Sequence, residues 1–80
     1  MKFKIVTPQS VLFDGEADMA IIPGAKGEFG VLDRHEPLIA KLMAGSVRLY
    51  KEGTIIETFP ITDGFAEVNP QGCIVMGIQA

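Results

Sequence analysis

Residues 64–78 read GFAEVNPQGCIVMGI, and this stretch decides the fold class. Asn69-Pro70-Gln71-Gly72 places proline and glycine at the second and fourth positions of a type I turn. Gly64 to Val68 on one side and the apolar segment Cys73 to Ile78 on the other have the length and composition of strands. The stretch therefore predicts two antiparallel strands joined by a tight turn.

Short segments of the same kind recur through the rest of the chain. They place strands at Lys2 to Thr7, Val11 to Phe13, Glu16 to Ile22, Leu38 to Met43, Gly45 to Lys51 and Ile55 to Phe59. The first segment alternates lysines with Phe3 and Ile5, which is the period-2 pattern of a half-buried strand. The turn Lys51-Glu52-Gly53-Thr54 joins the last two segments as a hairpin. Pro8 and Asp14-Gly15 are turn signals.

No amphipathic helical stripe interrupts these segments. The chain of 80 residues is long enough for one core and too short for two, so residues 1–80 are expected to form a single domain. The pattern predicts an all-β fold, an antiparallel sandwich or barrel.

The segment from Pro23 to Gly30 contains three glycines and one proline. Because glycine weakens regular pairing and proline interrupts it, we predict a loop here. This loop should display Lys26, Glu28 and Phe29 at the surface.

Charge and cysteine content exclude several classes of protein. The formal net charge is −3 and the seven Lys and Arg residues are scattered, so nucleic-acid binding is not expected. Cys73 is the one cysteine and no secretory signal is present at the N-terminus, which favours a reducing, cytoplasmic setting. No apolar run approaches the roughly 20 residues that span a bilayer, so membrane association is expected only through a partner.

Candidate chemistry is sparse. Asp33, His35 and Glu36 form the one cluster that pairs histidine with carboxylates, but their spacing does not bring the three side chains together in a strand or turn. Gly24-Ala25-Lys26-Gly27 lacks the spacing of a phosphate-binding Walker loop and no helix follows it. Cys73 lies within an apolar strand, where a buried thiol is expected. We expect no catalytic, metal or cofactor site.

Several separated motifs resemble the epsilon subunit of F-type ATP synthases. They are Pro23-Gly24-Ala25-Lys26-Gly27-Glu28-Phe29-Gly30-Val31-Leu32, His35-Glu36-Pro37-Leu38, Lys4-Ile5-Val6-Thr7-Pro8 with Val11-Leu12-Phe13-Asp14-Gly15, and Gly64-Phe65-Ala66-Glu67-Val68. The resemblance covers the whole chain in order and spacing. It implies a flattened antiparallel β-sandwich of about ten short strands. The C-terminal helical hairpin of that family is not expected within residues 1–80.

The resemblance also implies a function. Subunits of this family are non-catalytic parts of the central stalk, which couple rotation of the c ring to the gamma subunit and to ATP synthesis. They lie at the cytoplasmic face of the energy-transducing membrane. Lys26, Gly27, Glu28 and Phe29 match the loop that meets the c ring.

Four further positions, Thr7, His35, Leu38 and Ala40, match residues that the family places near the gamma subunit. Asp33-Arg34 replaces the Pro-Gly pair that commonly precedes the histidine, and Asp63-Gly64 replaces a glycine pair, so the local turn geometry is expected to differ. Without the helical hairpin, an inhibitory or ATP-sensing role is not implied.

Two other functions are open on the residues alone. The first is a free-standing β-sandwich module that binds a small ligand or a peptide at an open sheet edge. The second is a small hydrolase that uses His35.

Overall fold

A computed structural model describes residues 1–80. Its eight strands are β1 (Lys2–Val6), β2 (Val11–Glu16), β3 (Met19–Gly24), β4 (Gly27–Leu32), β5 (Leu38–Leu42), β6 (Gly45–Lys51), β7 (Thr54–Asn69) and β8 (Gly72–Gln79). The all-β prediction is confirmed, and the structure contains no helix that could cross a membrane.

The strands form two layers that share β7. One layer has the order β2-β1-β8-β7-β5, and the other joins β4, β3 and β6 to the first half of β7. All pairs are antiparallel except β1 with β8, which run parallel. Since β7 serves in both layers, eight strands build the sandwich for which about ten were expected.

The core lies between the two layers. In β1, Phe3 and Ile5 point inward, and their parallel partners Cys73 and Val75 in β8 are buried beside them. The other layer contributes Ile22 and further apolar residues to a single cluster of 14 buried side chains. No charged or polar side chain is buried, so the sandwich is held by apolar packing and by its backbone ladder.

Two predicted strands, Ile55 to Phe59 and Gly64 to Val68, are wrong as separate elements. The structure joins them in β7, a strand of 16 residues. A register shift between Ile61 and Asp63 bends this strand, so that its first part pairs with β6 and its second part with β8 and β5. Bulges of this kind let one strand pass from one layer to the other without losing its ladder.

The predicted loop from Pro23 to Gly30 is also wrong. Strand β3 continues to Gly24 and β4 begins at Gly27, so only Ala25 and Lys26 form the turn of a tight hairpin. Pro23 lies opposite Glu28, one position before the closing pair, where an N–H would point away from β4. The missing donor therefore costs this hairpin nothing, and the Pro23 carbonyl accepts a hydrogen bond from the Met43 N–H at 2.9 Å.

The turns predicted at Lys51–Thr54 and Asn69–Gly72 are confirmed, whereas the turn predicted at Asp14-Gly15 is wrong because both residues lie within β2. Glu52 and Gly53 have φ of 52° and 79°, as a two-residue type I′ hairpin requires. The Asn69 side chain accepts hydrogen bonds from the N–H groups of Gln71 and Gly72 in the β7–β8 turn. Strand β2 extends to Glu16 because Asp14 and Glu16 lie opposite lysines of β1, and β3 consequently begins at Met19.

Candidate functional site

The tip of the β3–β4 hairpin projects into solvent from a fixed base. Ala25, Lys26 and Gly27 are exposed. The Ala25 N–H donates to the Lys41 carbonyl at 2.8 Å, which ties the tip to β5. Gly24 lies under the Phe29 ring, and a Cβ at Gly24 would come within 2.9 Å of a ring carbon. The tip is therefore held in one position relative to the sandwich.

Phe29 is an anchor of this hairpin. Its side chain is half-buried and packs against the core, whereas the sequence predicted a displayed ring. Lys26 and Glu28 are exposed as predicted. The hairpin therefore presents polar groups and backbone, and keeps its one large apolar side chain inward.

Glu28 is paired within the chain. Its Oε1 accepts a hydrogen bond from Arg48 Nη2 at 2.8 Å, with Glu28 55% exposed and Arg48 33% exposed. Arg48 belongs to β6, so sequence proximity gave no sign of this pair. An exposed pair of this kind contributes about 0.2–1 kcal/mol to stability, which makes its effect on the shape and charge of the surface the larger consequence.

The four gamma-interface candidates do not form one cluster. Thr7 lies in the β1–β2 turn, where its hydroxyl accepts hydrogen bonds from the N–H groups of Gln9 and Ser10. His35 lies at the opposite end of β1, in a segment whose Asp33 carboxylate is 3.1 Å from the Met1 amino group. The half-buried His35 ring donates a hydrogen bond from Nδ1 to the Glu36 carbonyl at 2.8 Å.

The other two candidates, Leu38 and Ala40, share one side of β5, which pairs with β7 along its length and with β3 only at Leu42, so that its first residues lie at an open edge. They pair with the buried Val68 and Ala66 and therefore face the interior, although the edge position leaves Leu38 exposed. The alternate residue Ile39 points outward and is 73% exposed. A cleft of about 240 Å³ between the hairpin and β5 brings Lys26, Gly27 and Phe29 together with Leu38 and Ala40. One face of the molecule thus joins two of the gamma candidates to three of the c-ring candidates.

The outer side of the layer β2-β1-β8-β7-β5 carries an apolar patch, which the site prediction missed, and Lys4 and Glu67 border this patch on either side of Ile74. We call this surface the outer apolar face; it comprises Val6, Val11, Ile39, Phe65, Ile74, Met76 and Ile78. Phe65, Met76 and Val6 lie side by side on β7, β8 and β1, and the first two are 49% and 47% exposed. The signal was present in the sequence, because Cys73 to Ile78 has no polar residue at the outward positions.

A groove of about 420 Å³ crosses this face between Phe65, Met76 and Ile78. At its rim the Lys41 ammonium lies 4.8 Å from the centroid of the Phe65 ring and forms an ion pair with Asp63. The hydrogen bond from Lys41, followed by that from the Gly64 N–H and by the lysine charge, lowers the pKa of Asp63. The groove is therefore apolar along its floor and carries a balanced charge pair at its edge.

The remaining chemical candidates lie apart. Within residues 1–80 no group of three or more histidine, cysteine, aspartate or glutamate side chains comes together to hold a metal ion. Cys73 is 3% exposed, which confirms the predicted buried thiol, and burial raises its pKa to about 12. A thiol of this kind is not a nucleophile at neutral pH.

A small β-sandwich with an exposed apolar patch and no cluster of catalytic side chains belongs, by its surface, to the class of binding domains. The sequence model of one protein family, the ATP synthase delta/epsilon chain β-sandwich domain, matches residues 1–80. The chain belongs to this family, and the resemblance noted from the motifs is confirmed.

Relatives carry the same name. The ATP synthase epsilon chain of Granulibacter bethesdensis is 42% identical over 77 residues, which cover 96% of this chain and 57% of that protein. The ATP synthase epsilon chain of Caulobacter vibrioides is 41% identical over 80 residues, which cover 100% of this chain and 92% of that protein. The chain therefore spans little more than half of the first relative and nearly all of the second.

Solved structures share the fold. A chain of the OSCP/F1/c-ring structure of the Euglena gracilis mitochondrial ATP synthase has a TM-score of 0.86 at 24% identity, over 96% of this chain and 49% of that chain. A chain of the central stalk/c-ring structure of the Tetrahymena thermophila mitochondrial ATP synthase has a TM-score of 0.78 at 15% identity, over 99% of this chain and 63% of that chain. At these identities the likeness concerns the fold alone.

Proposed function

We propose that this chain is a non-catalytic central-stalk subunit of a proton-translocating F-type ATP synthase, in which it couples rotation of the c ring to the gamma subunit and to ATP synthesis. Its family membership and the names of its relatives support this role. Neighbours of the same fold come from F1/c-ring and central stalk/c-ring assemblies. In this proposal the chain is held at the cytoplasmic face of the membrane through the gamma subunit and the c ring.

The outer apolar face is the observation that carries the proposal. Phe65, Met76 and Val6 form an apolar row across three adjacent strands, and an apolar surface patch of this kind is typical of a protein-binding site. We assign this face and the adjoining β5 edge, with Leu38 and Ala40, to the gamma subunit. Thr7 and His35 then lie at the two ends of the interface, where polar groups set orientation.

The hairpin tip is assigned to the c ring. Lys26, Gly27 and Glu28 present charged and backbone groups to a polar loop of the c subunits. Phe29 fixes the hairpin on the core. Two backbone hydrogen bonds connect the hairpin to β5 and the residue after it, from Ala25 N–H to Lys41 and from Met43 N–H to Pro23. A force on the tip is thereby transmitted through a close-packed sandwich rather than absorbed by a loop.

Gel filtration with an F1 complex from the same source tests the gamma assignment. The complex contains gamma and is prepared without its epsilon subunit. We expect the chain to comigrate with it, and Met76→Glu to weaken binding about tenfold or more because the interface would have to bury a carboxylate. His35→Ala and Leu38→Ala test the ends and edge of the same surface.

Ile56→Glu is the matched control. Like Met76, Ile56 is an exposed apolar residue, with 41% of its surface accessible, but it lies outside the outer apolar face. It should bind like the unsubstituted chain. If the chain fails to comigrate at all, the central-stalk role is wrong for this domain. If Met76→Glu and Ile56→Glu both bind normally, gamma occupies another surface.

The binding-module alternative has one observation in its favour, which is the groove on the outer apolar face. Its volume of about 420 Å³ falls within the range of small-molecule sites. Thermal unfolding in the presence of a panel of small apolar anions and peptides distinguishes the two functions. A specific rise in melting temperature that Phe65→Ala abolishes would favour the module.

A further inference from the structure

We propose that Arg48 is a positioning residue for Glu28, and that the two together determine which partner groups the β3–β4 hairpin accepts. This inference rests on the proposed contact between the hairpin and the c ring. It adds a residue from a strand outside the hairpin to that contact.

The sheet geometry places Arg48 where it can control Glu28. Arg48 lies opposite Ile21 on β3, and Ile21 lies opposite Gly30 on β4, so the three residues form one row across the sheet. Glu28 is the next residue along β4 on the same side as Gly30. The strands of Arg48 and Glu28 are about 10 Å apart, so both long side chains turn toward each other across β3 to meet at 2.8 Å.

The surface of the sheet above Gly30 is open. An alanine Cβ at Gly30 would find Ile21 Cδ1 at 3.5 Å as its nearest neighbour, so no other side chain fills the space above β4 at this point. The Glu28 carboxylate is consequently drawn over the sheet and away from the hairpin tip. Without Arg48 the carboxylate would be free to sample the solvent around the tip.

The pair changes what the hairpin offers to a partner. Glu28 Oε1 is occupied by Arg48 Nη2, which leaves Oε2 as an acceptor and the other guanidinium N–H groups as donors. The net charge of this pair is zero. Such a surface fits amide side chains and backbone N–H and C=O groups of a polar loop, whereas a bare carboxylate selects a cation.

The experiment uses an ATP synthase depleted of its own epsilon subunit and reconstituted with this chain in vesicles. Binding of the chain and ATP-driven proton pumping per ATP hydrolysed are measured for Glu28→Gln, Arg48→Gln and Arg48→Lys. Lys51→Gln is the matched control, since it removes the same charge from the same strand and Lys51 has no ion-pair partner. Melting temperatures verify that every variant is folded.

We expect Arg48→Gln to lower affinity and pumping as much as Glu28→Gln, by about two- to fivefold, which corresponds to an exposed ion pair. Arg48→Lys should be intermediate because an ammonium lacks the planar fork. Binding of the Arg48→Gln variant should also become more sensitive to salt, because its carboxylate is unneutralised. A purely structural role of Arg48 would not change the salt dependence.

Two failures are distinguishable. If Glu28→Gln is defective while Arg48→Gln matches Lys51→Gln in affinity, pumping and salt dependence, Glu28 acts alone and this inference is overturned, although the c-ring contact stands. If the unsubstituted chain neither binds nor restores pumping, the proposed function is wrong and the inference falls with it.

Discussion

The bend in β7 depends on the absence of a side chain at Gly64, and Gly64→Ala tests this directly. Gly64 has a φ of 155°, and a Cβ built there would lie 2.3 Å from the Met76 carbonyl oxygen and 2.9 Å from the Gly77 Cα. Ordinary contact begins at 3.4 Å, so β7 and β8 would have to separate by about one ångström at the point where the two layers join.

The cost has two parts. Holding an alanine in this backbone conformation costs about 1–3 kcal/mol. Weakening one ladder hydrogen bond costs about 0.5–1.5 kcal/mol more. The sum of about 1.5–4.5 kcal/mol is a large part of the roughly 4–12 kcal/mol expected for a domain of this length. At about 4–8 °C per kcal/mol, the melting temperature should fall by about 6–36 °C.

Substitutions at three other glycines distinguish the effect of backbone strain from the effect of close contact with a neighbouring strand. Gly53 has a φ of 79° and no atom within 4 Å of its Cβ, so Gly53→Ala reports backbone strain alone. Gly72→Ala reports close contact, since its Cβ would lie 2.4 Å from the Lys2 carbonyl. Gly30→Ala has neither problem. Thermal unfolding followed by circular dichroism should rank Gly64→Ala as the least stable and Gly30→Ala as nearly unchanged.

A Gly64→Ala protein that melts together with Gly53→Ala would refute the reasoning. It would mean that β8 moves aside at no cost and that the close approach at the bend contributes nothing to stability. A Gly72→Ala protein as stable as Gly30→Ala would refute the same argument for the β1–β8 pair.

Three further outcomes are expected. Lys41→Gln should raise the pKa of Asp63 toward its ordinary value in an NMR pH titration. An unchanged Asp63 titration in Lys41→Gln would contradict the ion pair. In the unsubstituted chain the stabilisation from Asp63 is present above its unfolded-state pKa and is lost as the pH falls through its lowered folded-state pKa. Cys73, with its pKa of about 12, should react with a thiol reagent at pH 8 only after denaturant is added, and rapid reaction of the folded protein would show that the thiol is accessible. Phe3→Ala should cost about 3–5 kcal/mol in urea unfolding, whereas Phe65→Ala, at an exposed ring, should cost far less, and equal losses would mean that the core has been misplaced.

The proposed interfaces were only partly foreseeable. The motif around Glu28 identified the hairpin tip, but glycine and proline content suggested a loop where Pro23 and Gly24 in fact continue a strand. Composition does not show whether the N–H that proline lacks would have been needed, because this depends on which side of the strand the ladder occupies. The loop prediction also placed Phe29 at the surface. In the structure Phe29 belongs to β4, and its side chain packs against the core.

The sequence by itself determined the class of the fold, the hairpins at Lys51–Thr54 and Asn69–Gly72, and the inward residues Phe3 and Ile5 of β1. These follow from local rules, since alternation, turn residues and the Asn69-Pro70-Gln71-Gly72 turn act over a few neighbouring positions. Family membership likewise required only the order and spacing of motifs.

Only the tertiary structure decided the features that join distant segments. These are the passage of β7 through both layers, the parallel pairing of β1 with β8, the Glu28–Arg48 pair and the assembly of the outer apolar face from adjacent strands. Each depends on strand order and register, which bring together residues far apart in the chain. No local pattern encodes such neighbours, because period-2 alternation gives the face of a strand without giving the strand that lies beside it.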